Sequence, residues 1–128
     1  MNVRWMAVLT GFLVDLMLSW LLALLMTPFV GSDFFTSPDL TRPGDLILII
    51  LLILATGVGG YVAGRMAQDD RAINGLLVAV VGILVGLLDP PPPRPFVIAT
   101  AVSCLLAALG GYLSRYPAQH QPRSSNER

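Results

Sequence analysis

The chain has 128 residues, of which 55% are hydrophobic and only 12% charged, and its mean hydropathy is +0.72. A soluble domain carries about 25% charged residues, so this balance points away from a soluble fold. Eight basic and eight acidic residues cancel, which gives no polybasic face for nucleic acid; the single cysteine, Cys104, excludes an internal disulfide framework or a Cys-rich metal site.

After Met1 to Arg4, an apolar run extends from Trp5 to Val30 with Asp15 as its only ionisable residue. A secretory h-region spans about 7–15 residues and ends at a small-residue cleavage site; this run is longer and lacks one, so it is expected to stay as a membrane anchor. The following stretch, GSDFFTSPDLTRPGD, is rich in Pro, Asp, Ser and Thr and reads as a loop, with Asp45 placed to cap the next helix. A second apolar segment covers Leu46 to Met66, and a third, Ala72 to Leu88, begins after a link short enough to force an antiparallel hairpin. Asp69 or Asp70 is expected to cap that third helix. The run Asp89-Pro90-Pro91-Pro92-Pro93-Arg94-Pro95 lacks amide donors and predicts a stiff polyproline spacer of roughly 12 Å. The last segment covers Pro95 to Ser114, with Pro95 tolerated in its first turn. The tail from residue 115 to 128, RYPAQHQPRSSNER, is polar and is expected to be disordered.

Segments of this length and polarity fit the roughly 20 residues needed to cross a bilayer, and lipid admits them only as helices. The expected fold is all-α: an integral membrane four-helix bundle of two antiparallel transmembrane hairpins, with helices at about 5–30, 46–66, 72–88 and 95–114. Arg4, Arg65, Arg71, Arg115, Arg123 and Arg128 fall on one side of these spans, and Arg42 and Arg94 on the other. The positive-inside rule then places both termini in the cytoplasm. Trp5, Tyr61, Tyr112 and Tyr116 suit the cytoplasmic boundary, and Phe34, Phe35 and Phe96 the outer one.

The stretch ATGVGGYVAGRMAQDDRAINGLLVAVVGILVG is dense in glycine. A dinucleotide fingerprint requires G-x-G-x-x-G after a strand, but the last position here is Val62 and an apolar span precedes it; Gly64 is followed by Arg65-Met66, which also breaks the phosphate-loop pattern. Nucleotide binding is therefore not expected. Gly57, Gly60 and Gly64 recur at helical spacing on the second span, and Gly75, Ala79, Gly82 and Gly86 on the third. The fourth carries a similar face that includes Gly111, and the first carries Gly11, Asp15 and Ser19. Small residues let helix backbones approach closely in lipid, so these stripes are expected to be the packing seams. Gly59-Gly60-Tyr61 before Arg65 and Gly110-Gly111-Tyr112 before Arg115 hint at an internal repeat.

The run GGYVAGRMAQDDRAINGLLVAVVGIL resembles the central hairpin of small four-span bacterial membrane proteins of the YrzE-like kind, through Gly59, Gly60, Tyr61, Ala63, Gly64, Arg65 and Gly75. The resemblance implies a multi-pass protein of a bacterial cytoplasmic membrane and supplies no activity.

Asp15 lies about 15 Å along the first helix, near the centre of a hydrocarbon core about 30 Å thick. At the same depth stand Thr56 on the second helix and Ser103 on the fourth, and no arginine. A carboxylate at mid-membrane costs at least about 2.5 kcal/mol, so Asp15 is expected to face the bundle, to be protonated at neutral pH and to hydrogen-bond Thr56, Ser103 or both. The candidate polar cluster is thus Asp15, Thr56 and Ser103. No metal or cofactor is implied, since His120 lies in the tail, and Ser19, Ser103 and Cys104 have no base at their depth to activate them. The expectation is a non-enzymatic protein that contacts the lipid bilayer and acts by helix packing, as a homo-oligomer or an accessory subunit of a membrane complex. The alternative is a small proton- or solute-coupled transporter or channel component built on the layer around Asp15.

Overall fold

A computed structural model of the chain describes residues 3–88 and 91–115. Four α-helices form a packed bundle: α1 (Trp5–Met26), α2 (Pro43–Ala67), α3 (Arg71–Gly86) and α4 (Arg94–Leu113). Of these, α1, α2 and α4 are long and apolar enough to cross a membrane. The chain is a small multi-pass membrane protein by that helix composition. At 1.5 Å per residue the 16 residues of α3 span roughly 24 Å, short of the roughly 30 Å of a hydrocarbon core.

Helix ends depart from the apolar runs where proline intervenes. The α-helical part of α1 stops at Met26 and continues as a 3-10 turn, Thr27–Phe29, because Pro28 offers no amide to the helical ladder. The second helix begins earlier than the apolar run, at Pro43, whose fixed φ suits a first turn. That places Asp45 inside the helix with no side-chain cap bond to it, a correction to its expected capping role. The third helix ends at Gly86, and Leu87 and Leu88 form a turn. Asp70 does occupy the N-cap position of α3, with φ of 45°, but makes no side-chain cap bond. The Asp89–Pro90 half of the proline spacer and the tail from Tyr116 lie outside the described residues.

Two polar knots gather one end of the bundle. The backbone amide of Arg4 donates to Asn74 Oδ1 at 3.0 Å, and Asn74 Nδ2 donates to the carbonyls of Asp69 and Asp70. Arg71 donates from Nη1 to the carbonyl of Ser114 at 2.6 Å and from Nε to that of Gln68 at 3.0 Å. The chain start, the α2–α3 link and the end of α4 therefore share this terminal end, and the helices run up, down, up, down. Asn74 and Ser114 are buried in these knots. A buried amide side chain is tolerated only when its hydrogen bonds are made, as they are here.

The opposite, loop end is closed by the segment between α1 and α2. Phe34 is only 2% exposed and packs with Leu48 and Ile49 of α2 and with Leu22, Met26 and Phe96 around them. Its ring meets Phe35 and Phe96 edge to face, with centroids at 5.0 and 5.4 Å. Phe34 thus belongs to the interior, whereas Phe35 is 66% exposed. Asp45, fully buried, accepts the amide of Gly31 on Oδ1 at 3.1 Å and that of Asp39 on Oδ2 at 3.0 Å. The loop is ordered by a carboxylate lent from the next helix.

The glycines divide the bundle along its length. In the terminal half, a Cβ at Gly60 would fall on the backbone of Ala107, one at Gly64 would sit 2.6 Å from Gly111 Cα, and one at Gly75 would strike the Ala107 carbonyl. Gly111 in turn leaves no room against the Arg71 carbonyl. The stripes of α2 and α3 therefore close on α4 rather than on each other. A second contact joins Gly11 of α1 to Gly59 of α2, where an added Cβ would lie 2.5 Å from the Gly59 carbonyl. Toward the loop half the contacts fade. An added Cβ at Gly57 would be at an ordinary 3.7 Å from Leu106, although the Gly57 carbonyl itself closes on Gly110; one at Gly82 would be 3.9 Å from Phe12, and one at Gly86 would have nothing within 4 Å. Gly82 and Gly86 are thus not part of a close-packed seam. Ala79 is buried beside this transition.

The two GGY copies do not sit level. Gly60 meets Ala107 and Gly64 meets Gly111, so equivalent residues of α2 and α4 are offset by about one helical turn, roughly 5.4 Å. A repeat related by rotation about the membrane normal would place them at one depth.

Candidate functional site

Where the glycine contacts fade, a cavity of about 1120 Å³ opens. Its floor is at mid-helix, formed by Asp15 of α1, Thr56 of α2, Ala79 of α3 and Ser103 of α4. Its walls climb along Gly82, Ile83, Gly86 and Leu87 on one side and Thr100, Val97 and Phe96 on the other, and its rim is Phe35, Thr36 and Pro91 to Pro93. The three polar residues read from sequence depth thus border one space. Its lining extends from mid-helix to the loop end and stops where the terminal half locks shut.

Within the floor, Thr56 Oγ1 donates to Asp15 Oδ1 at 3.1 Å, and Ser19 Oγ donates to the same oxygen at 3.4 Å. Oδ2 takes neither bond. Ser103 is not a hydrogen-bond partner of Asp15; the carboxyl turns instead to Ser19, one helical turn along its own helix. That partner was readable in the i,i+4 spacing on α1, which stacks side chains on one face. The remaining hydroxyl of the wall, Thr100, donates to its own helix at Phe96 O, 2.7 Å away.

Thr56 Oγ1 has a second acceptor within reach, the Leu52 carbonyl at 3.3 Å. A hydroxyl carries one donor and two acceptor positions. With Asp15 ionised, Thr56 donates to it; with Asp15 protonated, the carboxyl donates to Thr56 and Thr56 donates back to Leu52. Both protonation states keep a hydrogen bond between Asp15 and Thr56. This arrangement can hold or release a proton without orphaning a buried group, an imbalance that costs about 1–3 kcal/mol.

Asp15 is the only ionisable residue among the described residues that line the cavity. Of the loop-end charges outside it, Arg42, Asp33 and Asp39 pair with one another, and Arg94 lies beside the rim residue Pro93. Arg42 Nη1 binds Asp33 Oδ1 at 2.9 Å, and its Nε lies 3.6 Å from Asp39 Oδ2. The hydrogen bond from Arg42 holds the Asp33 carboxyl below its ordinary value, and the hydroxyl and amide of Thr41 do the same for Asp39. No group of three His, Cys, Asp or Glu side chains is gathered for a metal among the described residues.

Against known protein families, curated proteins and solved structures the chain shows no match.

Proposed function

We propose that this is a four-span integral membrane protein with both termini in the cytoplasm, working without covalent catalysis as a small proton- or solute-coupled binding or transport component. The observation that carries the reading is the cavity that runs from the loop end to the Asp15–Thr56 pair at mid-helix, above a half that is sealed by backbone contact. In this orientation the loop end faces outward, since Arg4, Arg65, Arg71 and Arg115 flank the terminal end. Ionisable groups placed inside a membrane-spanning bundle are expensive, and they commonly mark solute or proton paths.

The accessory-subunit reading rested on small-residue faces offered to other helices. Those of α2, α3 and α4 are largely used inside the chain, at Gly60, Gly64, Gly75 and Gly111. Less small surface is therefore left to recruit a partner than the glycine count suggests.

Access decides the matter. In a Cys104→Ala background, Thr100→Cys stands in the wall between rim and floor and is expected to react with a membrane-impermeant maleimide applied outside intact cells. Labelling only from the cytoplasmic side, or none from either side with a denatured control labelled fully, would remove the outward cavity from consideration.

A further inference from the structure

We propose that the cavity takes an organic cation, a positively charged head on a bulky apolar body, in exchange for the proton of Asp15. The inference rests on the outward-cavity reading and adds the chemistry of the occupant.

Three observations converge on that class. The first is charge: Asp15 is the sole ionisable group among the described lining residues of all four helices and the outer loop, so an ionised site is anionic with no internal counter-ion. A charge of that kind in an apolar setting needs an opposite charge within reach. The hydrogen bonds from Thr56 and Ser19 both fall on Oδ1, so neither of them occupies Oδ2. The second is the wall, which is apolar apart from Thr36, Thr56, Thr100 and Ser103, and which holds Phe35 and Phe96 toward the rim. Aromatic rings attract cations through their negative faces as well as covering apolar bodies. The third is volume. About 1120 Å³ is somewhat above the range of small-molecule sites, about 300–1,000 Å³, so a bare metal ion would leave most of it unfilled. A lipid tail would fill it but would offer nothing to the carboxyl.

The exchange balances simply. The O–H bond of the protonated carboxyl breaks, the proton leaves to the outer solution, and the carboxylate charge is matched by the incoming cation. Thr56 turns its donor from Leu52 to Asp15 as this happens, so the Asp15–Thr56 hydrogen bond is kept with its direction reversed.

The test uses the full chain in zwitterionic nanodiscs with two ions of one shape and opposite charge, tetraphenylphosphonium and tetraphenylborate. The phosphonium is expected to bind saturably at one per chain, to release protons into a weakly buffered medium, and to protect Thr100→Cys from maleimide. Asp15→Asn is expected to weaken it about ten-fold or more, because the amide keeps an acceptor for Thr56 but cannot carry the charge. Equal binding of both ions, or phosphonium binding unchanged in Asp15→Asn, overturns the cation assignment and points to an apolar, lipid-like occupant. Binding without proton release overturns the exchange. If Thr100→Cys labels from outside yet no phosphonium binds, the ligand class fails and the cavity stands; if it does not label, both fall.

Discussion

Gly60 and Gly86 belong to stripes with the same helical spacing, yet a methyl group added at each should have different effects. At Gly86 an added Cβ has nothing within 4 Å, so Gly86→Ala adds no clash, and as the last residue of α3 it gains less than the roughly 0.8–1 kcal/mol that the change is worth in a helix interior. At Gly60 the new Cβ would lie 2.7 Å from Ala107 Cα and 2.8 Å from its carbonyl carbon, with the carbonyl oxygen nearer still. Ordinary contact begins near 3.4 Å, so α2 and α4 must part by at least roughly 0.6 Å. The neighbour is backbone and cannot rotate away, and forced repacking of this kind typically costs about 1–3 kcal/mol. After the propensity gain is subtracted, Gly60→Ala should still destabilise by up to about 2 kcal/mol, while Gly86→Ala, at the end of its helix, leaves stability unchanged or raises it by a fraction of about 1 kcal/mol. Unfolding in mixed micelles, followed by helical circular dichroism against denaturing-detergent fraction, reads both. A Gly60→Ala variant as stable as Gly86→Ala would mean that the terminal half is not held by backbone contact.

The outer loop supplies two further expectations. Asp45→Asn replaces one acceptor oxygen by a donor that faces either the Gly31 or the Asp39 amide; the orphaned group should cost about 1–3 kcal/mol locally, seen as faster amide exchange from Gly31 to Asp39, with α2 to α4 unaffected. Unchanged exchange there would show that Asp45 does not fasten the loop. For Asp33 and Asp39 the folded pKa values lie below the unfolded value of 3.8, so their contribution is present above that pH and is lost as pH falls through the folded values. Amide protection around Thr36 to Arg42 should hold at neutral pH and decline on acidification from about pH 4; protection that rises on acidification contradicts the assigned pairing.

The four helices were legible as apolar runs, three of them long enough to cross a membrane, and the loops because proline and aspartate punctuate them. What sequence depth could reach was the juxtaposition of Asp15, Thr56 and Ser103 around one space, since a rise of 1.5 Å per residue converts position into level. It could not choose between Ser103 and Ser19 as the second partner, because level says nothing of rotation about the helix axis. The glycine stripes show the same limit. Spacing marks a face, but whether the face meets a neighbour depends on how the axes diverge, so Gly64 and Gly86 look alike in sequence and differ in the fold. Asn74 and Asp45 were opaque for another reason. Their partners are backbone groups far along the chain, and a backbone amide has no sequence signature.

The shortness of α3 has a consequence for the membrane itself. Beside α2, whose 25 residues span roughly 37 Å, the roughly 24 Å of α3 presents one protein with two hydrophobic thicknesses. The bilayer must thin along the α3 side or α3 must end below the headgroups, each at a modest cost per ångström of mismatch. In the four-span orientation proposed above, the rim at Leu87 and Pro91 to Pro93 would meet the leaflet near the boundary between headgroups and acyl chains. Amphiphiles concentrate at that depth, so in that orientation the approach to the cavity would run sideways from the leaflet as well as down from the water.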